Sequence, residues 1–531
     1  MSIHNPILKG FNPDPSIIRV GEDYYIATST FEWFPGVQVH HSKDLANWEL
    51  VTRPLNRISQ LDMKGVPDSG GVWAPCLSYH ESTFYLVYSN VFSFQGFWKD
   101  TPNYLVTTDD ILGDWSEPIY LSSAGFDGSL FHDDDGRKWF LSMIVDHRKG
   151  KLFGGIFMQE YDPIAAKLTG PEYHIFEGSP LGCTEGPHLY KKDGYYYLLL
   201  AEGGTEYNHA VSLARSKSIT GPYELHPDNP IITARWDADH PLQRTGHADL
   251  VETENGDWFM VFLASRPLSK RGRCTLGRET AIEELIWENH DWPYTKSGSK
   301  LASLELPLNV EQDNTLQHQR EDFNTHQLNI HFQSLRIPIE ESWCSLTERP
   351  SYLRVYGQES LSSLHRQSMI ARRVQHFHVE ASTKLDFSPK SYQQLAGLIG
   401  YYNTYHWHYL HIMGDTDGQR YLQILTCDKY TIKERLEQPI LLPQSGEILL
   451  KLDFHRAELQ FYYALEDDQW IKVGSVLDGS ILSDDYVRDD ENRYRPAFTG
   501  AFVGICCQDM SGLRQKADFD WFEYKELPVV F

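Results

Sequence analysis

The sequence predicts an all-β protein, a five-bladed β-propeller followed by a β-sandwich. Three observations carry that reading. One hairpin pattern returns five times over roughly the first 310 residues. Helical 3.6-residue periodicity is scarce throughout. Beyond the repeats the chain changes to long strands of period-2 alternation.

The repeats come in order as follows. After Asp14 the chain reads "PSII", a turn "RVGED" and then "YYIAT". From Ala74 it reads "PCLSYHESTFYLVY", and from Asp127 "GSLFHDDDGRKWFLSM". From Glu185 it reads "GPHLYKKDGYYYLLL", and from His247 "ADLVETENGDWFMVF". Each is a short apolar strand, a turn rich in Asp, Glu or Gly, and an aromatic strand, which is a β-hairpin signature. The anchors at 14, 74, 127, 185 and 247 are 60, 53, 58 and 62 residues apart. That period accommodates a four-stranded sheet with its loops. Second-half fragments recur too: "HSKDLANWELV" from His41, "TTDDILGDWSEP" from Thr107 and "ARSKSITGPYELH" from Ala214. Repeated sheets of this size stack radially and protect their edges, so five copies predict five blades over residues 1–310.

In a propeller the first strand of each blade lines the central channel. Asp14, Asp127, Glu185 and His247 are therefore expected at one mouth of that channel, with Ala74 beside them. Pro13 and Pro15 fix the backbone on either side of Asp14. One acid before a hairpin is an ordinary turn residue. Three carboxylates at equivalent positions repel one another and are costly without a purpose. His247 reads either as a ligand-facing imidazole or as a satisfied core histidine.

Two carboxyl groups flanking a bond are the machinery of glycoside hydrolysis: one takes a proton from water, the other gives its proton to the leaving oxygen. A third acid can hold up the pKa of the proton donor. Metal binding is the rival use, but acids on separate blades lack a local metal-loop spacing. "HDDDGRK" from His132 lacks the closing Glu of a calcium loop and reads as a hairpin turn.

Composition bounds the partners. The 531 residues exceed one ordinary domain. They are 41% hydrophobic and 13% aromatic, with 14 Trp and 30 Tyr, which suits both large cores and stacking against sugars. A net charge of −25 argues against nucleic acid or an anionic membrane, both of which need a basic face. The seven cysteines are scattered and odd in number, and no zinc spacing appears, so they read as reduced core residues of a cytoplasmic protein. The N-terminal stretch has neither a basic nor an apolar segment of a signal peptide, and no run is long enough for a membrane span.

The stretches "NPDPS" at Asn12, "GVWAP" at Gly71, "FDGSLF" at Phe126, "CTEGPHLY" at Cys183, "GHADLVET" at Gly246 and "LGRETAI" at Leu276 together resemble glycoside hydrolase family 43. The whole chain is similar to its two-domain β-xylosidases. The resemblance implies an inverting exo-glycosidase that releases D-xylose from the non-reducing end of β-1,4-xylo-oligosaccharides, with α-L-arabinofuranosidase side activity. An arabinan-degrading α-L-arabinofuranosidase and a non-catalytic carbohydrate-binding propeller are the alternatives. A retaining sucrose or fructan hydrolase is disfavoured, because its Asn-Asp-Pro-Asn motif is absent.

The same resemblance implies roles. Asp14 would be the general base, Glu185 the general acid and Asp127 the carboxylate that tunes and orients Glu185. Arg278 would bind substrate hydroxyls near the acids, or serve only as an ion-pair partner. Phe31 and Trp73 would wall the terminal sugar pocket, or serve only as packing between blades. No cofactor is required by this reading. Some members place a hydrated divalent cation deep in the channel, which here would put Ca2+ near His247 through water. A homo-oligomer, dimer or tetramer, is expected.

Residues 311–325 read as a linker. From 326 to 531 the strands "HFHVEASTKLDF", "YHWHYLHIM", "YLQILTC", "EILLKLDFHRAELQFYYAL" and "AFTGAFVGICCQ" predict a sandwich, which resembles the concanavalin-like domain of these xylosidases. In the relatives this domain supplies part of the active-site wall. "RYRPAFTGAF" from Arg493, with Phe498 near its tip, is the candidate loop.

Overall fold

A computed structural model describes residues 2–96, 98–148, 152–288, 291–467, 469–488 and 497–529. It divides into two compact units, Met1–Arg271 with Arg278–Asp313, and Gly272–Gly277 with Asn314–Phe531.

The first unit is the five-bladed propeller. Its blades are built from Ser16–Val20, Asp23–Thr28, Gln38–Ser42 and Glu49–Thr52; from Cys76–His80, Thr83–Val91, Asn103–Thr108 and Ile119–Ser122; from Ser129–His132, Lys138–Val145, Phe153–Asp162 and Lys167–Phe176; from Glu185–Lys192, Tyr195–Glu202, Ala210–Ser216 and Glu224–Leu225; and from Gln243–Glu252, Trp258–Ser265, Glu279–Ile286 and Tyr294–Thr295. The pairing within each blade is antiparallel throughout. "DDDG" at 133–136 is the hairpin turn: His132 pairs with Lys138 and the Gly136 N–H donates to the Asp133 carbonyl.

The recurring second-half fragments have one physical explanation. The hydroxyls of Ser42, Thr108 and Ser216 each accept the N–H two residues on, at 3.1, 3.2 and 3.1 Å. Such side-chain turns end a strand locally. The aromatic that follows locks the turn: Trp48 Nε1 donates to Leu45 O, Trp115 Nε1 to Ile111 O and the Tyr223 hydroxyl to Ile219 O.

Adjacent blades share apolar cores. Ile17, Tyr24 and Ile26 of blade 1 pack with Val251, Phe259, Val261 and Ile282 of blade 5. Closure of the ring is reinforced by the N-terminal segment. Ile3–His4 pairs with Glu305–Leu306, and the Asn12 N–H donates to the Arg278 carbonyl at 2.9 Å. Buried Asp249 of blade 5 accepts Ser16 Oγ at 2.9 Å and the Ile17 N–H at 2.8 Å in blade 1.

The second unit is a sandwich of an eight-stranded and a seven-stranded sheet. Gly400 of the smaller sheet faces Leu452 and Leu459 of the larger one, and a Cβ there would lie 3.4 and 3.1 Å from their side chains. Gly272–Gly277 belongs with this unit: the Ala501 N–H donates to the Thr275 carbonyl at 2.8 Å. The stretch expected as a linker is partly strand, since His318–Glu321 pairs with Lys516–Glu526. Its polar residues concealed a short edge pairing. Gln394–Asn403, "QLAGLIGYYN", also escaped the alternation pattern, because every residue in it is buried. A five-residue helix, Asp484–Arg488, interrupts the strands. All seven cysteines are free thiols, and among the described residues no helix is long and apolar enough to cross a membrane.

Candidate active site

Asp14 lies two residues before the inner strand of blade 1, with φ 55°. Asp127 takes the same left-handed backbone at φ 55° and His247 at φ 48°. An L-residue pays about 1–2 kcal/mol for that conformation, so its recurrence at equivalent positions marks a constrained site. The result is convergence: His247 Nδ1 lies 3.9 Å from Asp14 Oδ1 and 4.0 Å from Asp127 Oδ2. Glu185 opens its strand, and here the left-handed residue is the next one, Gly186 at φ 55°. A Cβ on Gly186 would sit 3.0 Å from the His247 ring, so only glycine lets the two blades approach this closely.

Arg278 joins Asp14 from blade 5. Its Nη1 donates to Asp14 Oδ1 at 3.1 Å and to Thr205 Oγ1 at 2.9 Å. Ser29 Oγ donates to Asp14 Oδ2 at 2.7 Å. The pair is buried, so it orients Asp14 firmly. Arg278 is thus an ion-pair partner of Asp14. Its guanidinium also lies 5.3 Å from the centroid of the Phe31 ring.

Phe31 and Trp73 stand side by side, with ring centroids 6.5 Å apart, and Trp73 meets Phe126 edge-on at 5.0 Å. Trp73 Nε1 donates to Ser69 O at 2.9 Å, which fixes the indole. Phe31 and Val72 exchange backbone hydrogen bonds at 2.9 and 3.0 Å, tying the two aromatic segments together. Ala74 is buried immediately after Trp73. Phe498 belongs to the second unit, beside Arg488, and the first four residues of its proposed loop, 493–496, lie outside the described residues.

Burial and like charge sort the protons. Glu185 is pushed well above the usual carboxylate range, by burial first and then by Asp127 and Asp14; Arg278 and Lys99 oppose this. Asp127 is pushed up to about 8, by burial and then by Asp14, with the Gly186 N–H and Arg278 opposing. The two titrate as a coupled pair. Both are raised by burial and by like charge, so ionisation of either one disfavours ionisation of the other. His247 lies close to two carboxylates, yet burial dominates and holds its pKa down at about 4. The imidazole is therefore neutral at physiological pH.

Repeat logic missed three neighbours. Ser29 and Thr205 hold Asp14 and Arg278 but occupy loops with no repeated anchor. His209 packs its ring against Gly246, and burial lowers its pKa to about 3. The glycines of "EGP" and "GHAD" were the available signal, since each marks a place where an imidazole comes too close for a side chain.

Among the described residues no group of three or more His, Cys, Asp or Glu could hold a metal ion. A cation at His247 would depend on water for most of its ligands, and no chemical step below is routed through one. The protein groups present can do acid–base chemistry: an ion-paired carboxylate and a carboxyl that keeps its proton, on different blades of one channel mouth.

Residues 3–293 match the model for glycosyl hydrolases family 43, and residues 320–525 match the beta xylosidase C-terminal concanavalin A-like domain. The chain is 49% identical to a beta-xylosidase of Bacillus subtilis (strain 168), covering 99% of this chain and 100% of that protein. It is 51% identical to xylosidase/arabinosidase 43B of Humicola insolens, covering 98% and 97%. The crystal structure of xylan beta-1,4-xylosidase from Bacillus halodurans C-125 superposes with a TM-score of 0.95 at 50% identity, covering 99% of this chain and 100% of that one.

Proposed function

The chain belongs to glycosyl hydrolases family 43, and on that premise we propose that it is an inverting exo-β-xylosidase that removes D-xylose from the non-reducing end of β-1,4-xylo-oligosaccharides. The observation that carries this reading is the pairing of a carboxylate in a buried ion pair, Asp14, with a carboxyl driven to keep its proton, Glu185. In this mechanism Asp14 takes a proton from water as the water attacks the anomeric carbon. Glu185 gives its proton to the departing oxygen, so the glycosidic bond breaks without releasing an alkoxide. Asp127 disfavours ionisation of Glu185 and hydrogen-bonds the sugar. Phe31 and Trp73 pack on its apolar face, and Arg278 orders its hydroxyls as well as Asp14.

A second activity, on α-L-arabinofuranosides, is favoured by the 51% identity to a relative named for both sugars. The two substrates present similar atoms around the scissile bond, so one pocket serves both.

A panel of aryl glycosides with the product followed by NMR tests the reading. The β-D-xyloside should turn over, with α-D-xylose as the first-formed anomer. Initial β-D-xylose would mean retention and would overturn the roles of Asp14 and Glu185. Turnover confined to α-L-arabinofuranosides would instead favour the arabinan reading.

Asp127→Asn keeps the shape and removes the charge. The alkaline limb of kcat/KM reports loss of the Glu185 proton in the free enzyme. That limb should move to lower pH in the variant, because one like charge facing Glu185 is gone. An unmoved limb in a folded, active variant would reduce Asp127 to a sugar-binding residue.

A further inference from the structure

Glu202 ends the second strand of blade 4, is 0% exposed, and pairs with Ala210 beside the register of Ala201 with Glu185. Both of its oxygens accept. Oε1 takes the Ser179 N–H at 2.9 Å and Thr184 Oγ1 at 2.7 Å. Oε2 takes Ser179 Oγ at 2.6 Å and, more closely still, Ser212 Oγ. Three of these four donors belong to the loop Ser179–Thr184, whose last residue precedes Glu185.

The loop is shaped around that carboxylate. Gly178 has φ 101°, and a Cβ on it would lie 2.6 Å from the Thr184 hydroxyl. Cys183 is left-handed at φ 51°, and the loop closes through Gly182 N–H to Ser179 O at 3.1 Å and Gly203 N–H to Gly182 O at 2.7 Å. On the far side of Glu185, the Pro187 carbonyl accepts Ser129 Oγ of blade 3 at 2.6 Å, across a register shift in the strand. The segment carrying Glu185 is thus pinned at both ends, one of them by a buried charge.

Burying a carboxylate is expensive and is sustained only by several good donors. A glutamine would satisfy at most part of this donor set, because its amide nitrogen accepts nothing. We propose that Glu202 is a positioning residue for the hydrolytic reaction: through Ser179 and Thr184 it holds Glu185 where its proton meets the leaving oxygen. This inference rests on the reading of Glu185 as the general acid. Glu202 touches neither the sugar nor the reacting atoms. It acts through the backbone of Thr184, and a small displacement of a proton donor is enough to lose much of its effect.

The test compares kcat/KM for xylobiose and for an aryl β-D-xyloside with an activated leaving group, in Glu202→Gln and, beside it, Glu185→Ala. Glu202→Gln should lose about 10- to 100-fold more on xylobiose than on the activated substrate, a share of what general acid catalysis contributes. The alkaline limb for xylobiose should also move to lower pH, since a loosened Glu185 is better solvated and gives up its proton sooner. Equal losses on both substrates with an unmoved limb would overturn the proposal and leave Glu202 a structural residue. If Glu202→Gln does not fold, Thr184→Val removes one staple at constant shape, and the same two measurements decide. Selectivity in Glu185→Ala without selectivity in the Glu202 or Thr184 variant overturns this inference alone. No selectivity in Glu185→Ala overturns the acid assignment and this inference with it.

Discussion

Asp14→Asn should lower kcat/KM by about 10³-fold, and by a similar factor for xylobiose and for an activated aryl β-xyloside, the scale on which a positioned base contributes. The substitution keeps the shape and leaves an amide oxygen to accept from Arg278, so the buried guanidinium retains a partner. What is lost is the ability to take a proton from water. Bond formation to water is needed whichever group departs, so a better leaving group should not rescue the variant. Activity on the aryl substrate near the unsubstituted level, with xylobiose hydrolysis lost, would move Asp14 out of the base role. Thermal unfolding of the variant, measured in parallel, separates a chemical defect from a folding one.

Glu185→Ala should give the opposite signature. Hydrolysis of xylobiose expels a xylose, a poor leaving group whose oxygen needs a proton as the bond breaks. Loss of the donor should cost that substrate about 10²- to 10⁴-fold. An aryl leaving group of low pKa needs little protonation and should lose far less. The alkaline limb should disappear from the profile of the activated substrate, because the group whose ionisation shapes it is gone. Equal losses on the two substrates would mean that Glu185 does not supply the proton.

The two variants test different levels of the same site. The anchors Asp14, Asp127, Glu185 and His247 were legible because a repeated hairpin places equivalent residues at equivalent points of a radial ring. Their neighbours were not. Ser29 and Thr205 sit in the loops between second and third strands of their blades, where no residue pattern repeats, and Thr205 meets Arg278 across 73 positions of sequence. The polar segment at His318–Glu321 paired as a strand because Lys516–Glu526 offered it an edge, which no local pattern foretells. Gln394–Asn403 lost its alternation because both faces of the strand are covered.

By itself the sequence determined the all-β class, the five repeats, the acids at their anchors and the family, because strand alternation, turn chemistry and the spacing of anchors are properties of short stretches. Only the tertiary structure decided which charges and how much burial surround each acid. Asp14 and Arg278 are 264 positions apart and in contact at 3.1 Å. Glu185 is raised by burial and by acids from two other blades, and Glu202 is surrounded by donors from a loop it does not adjoin in sequence. Proton affinity depends on how much water is removed and which charges lie a few ångströms away, and both are fixed when the blades close into a ring.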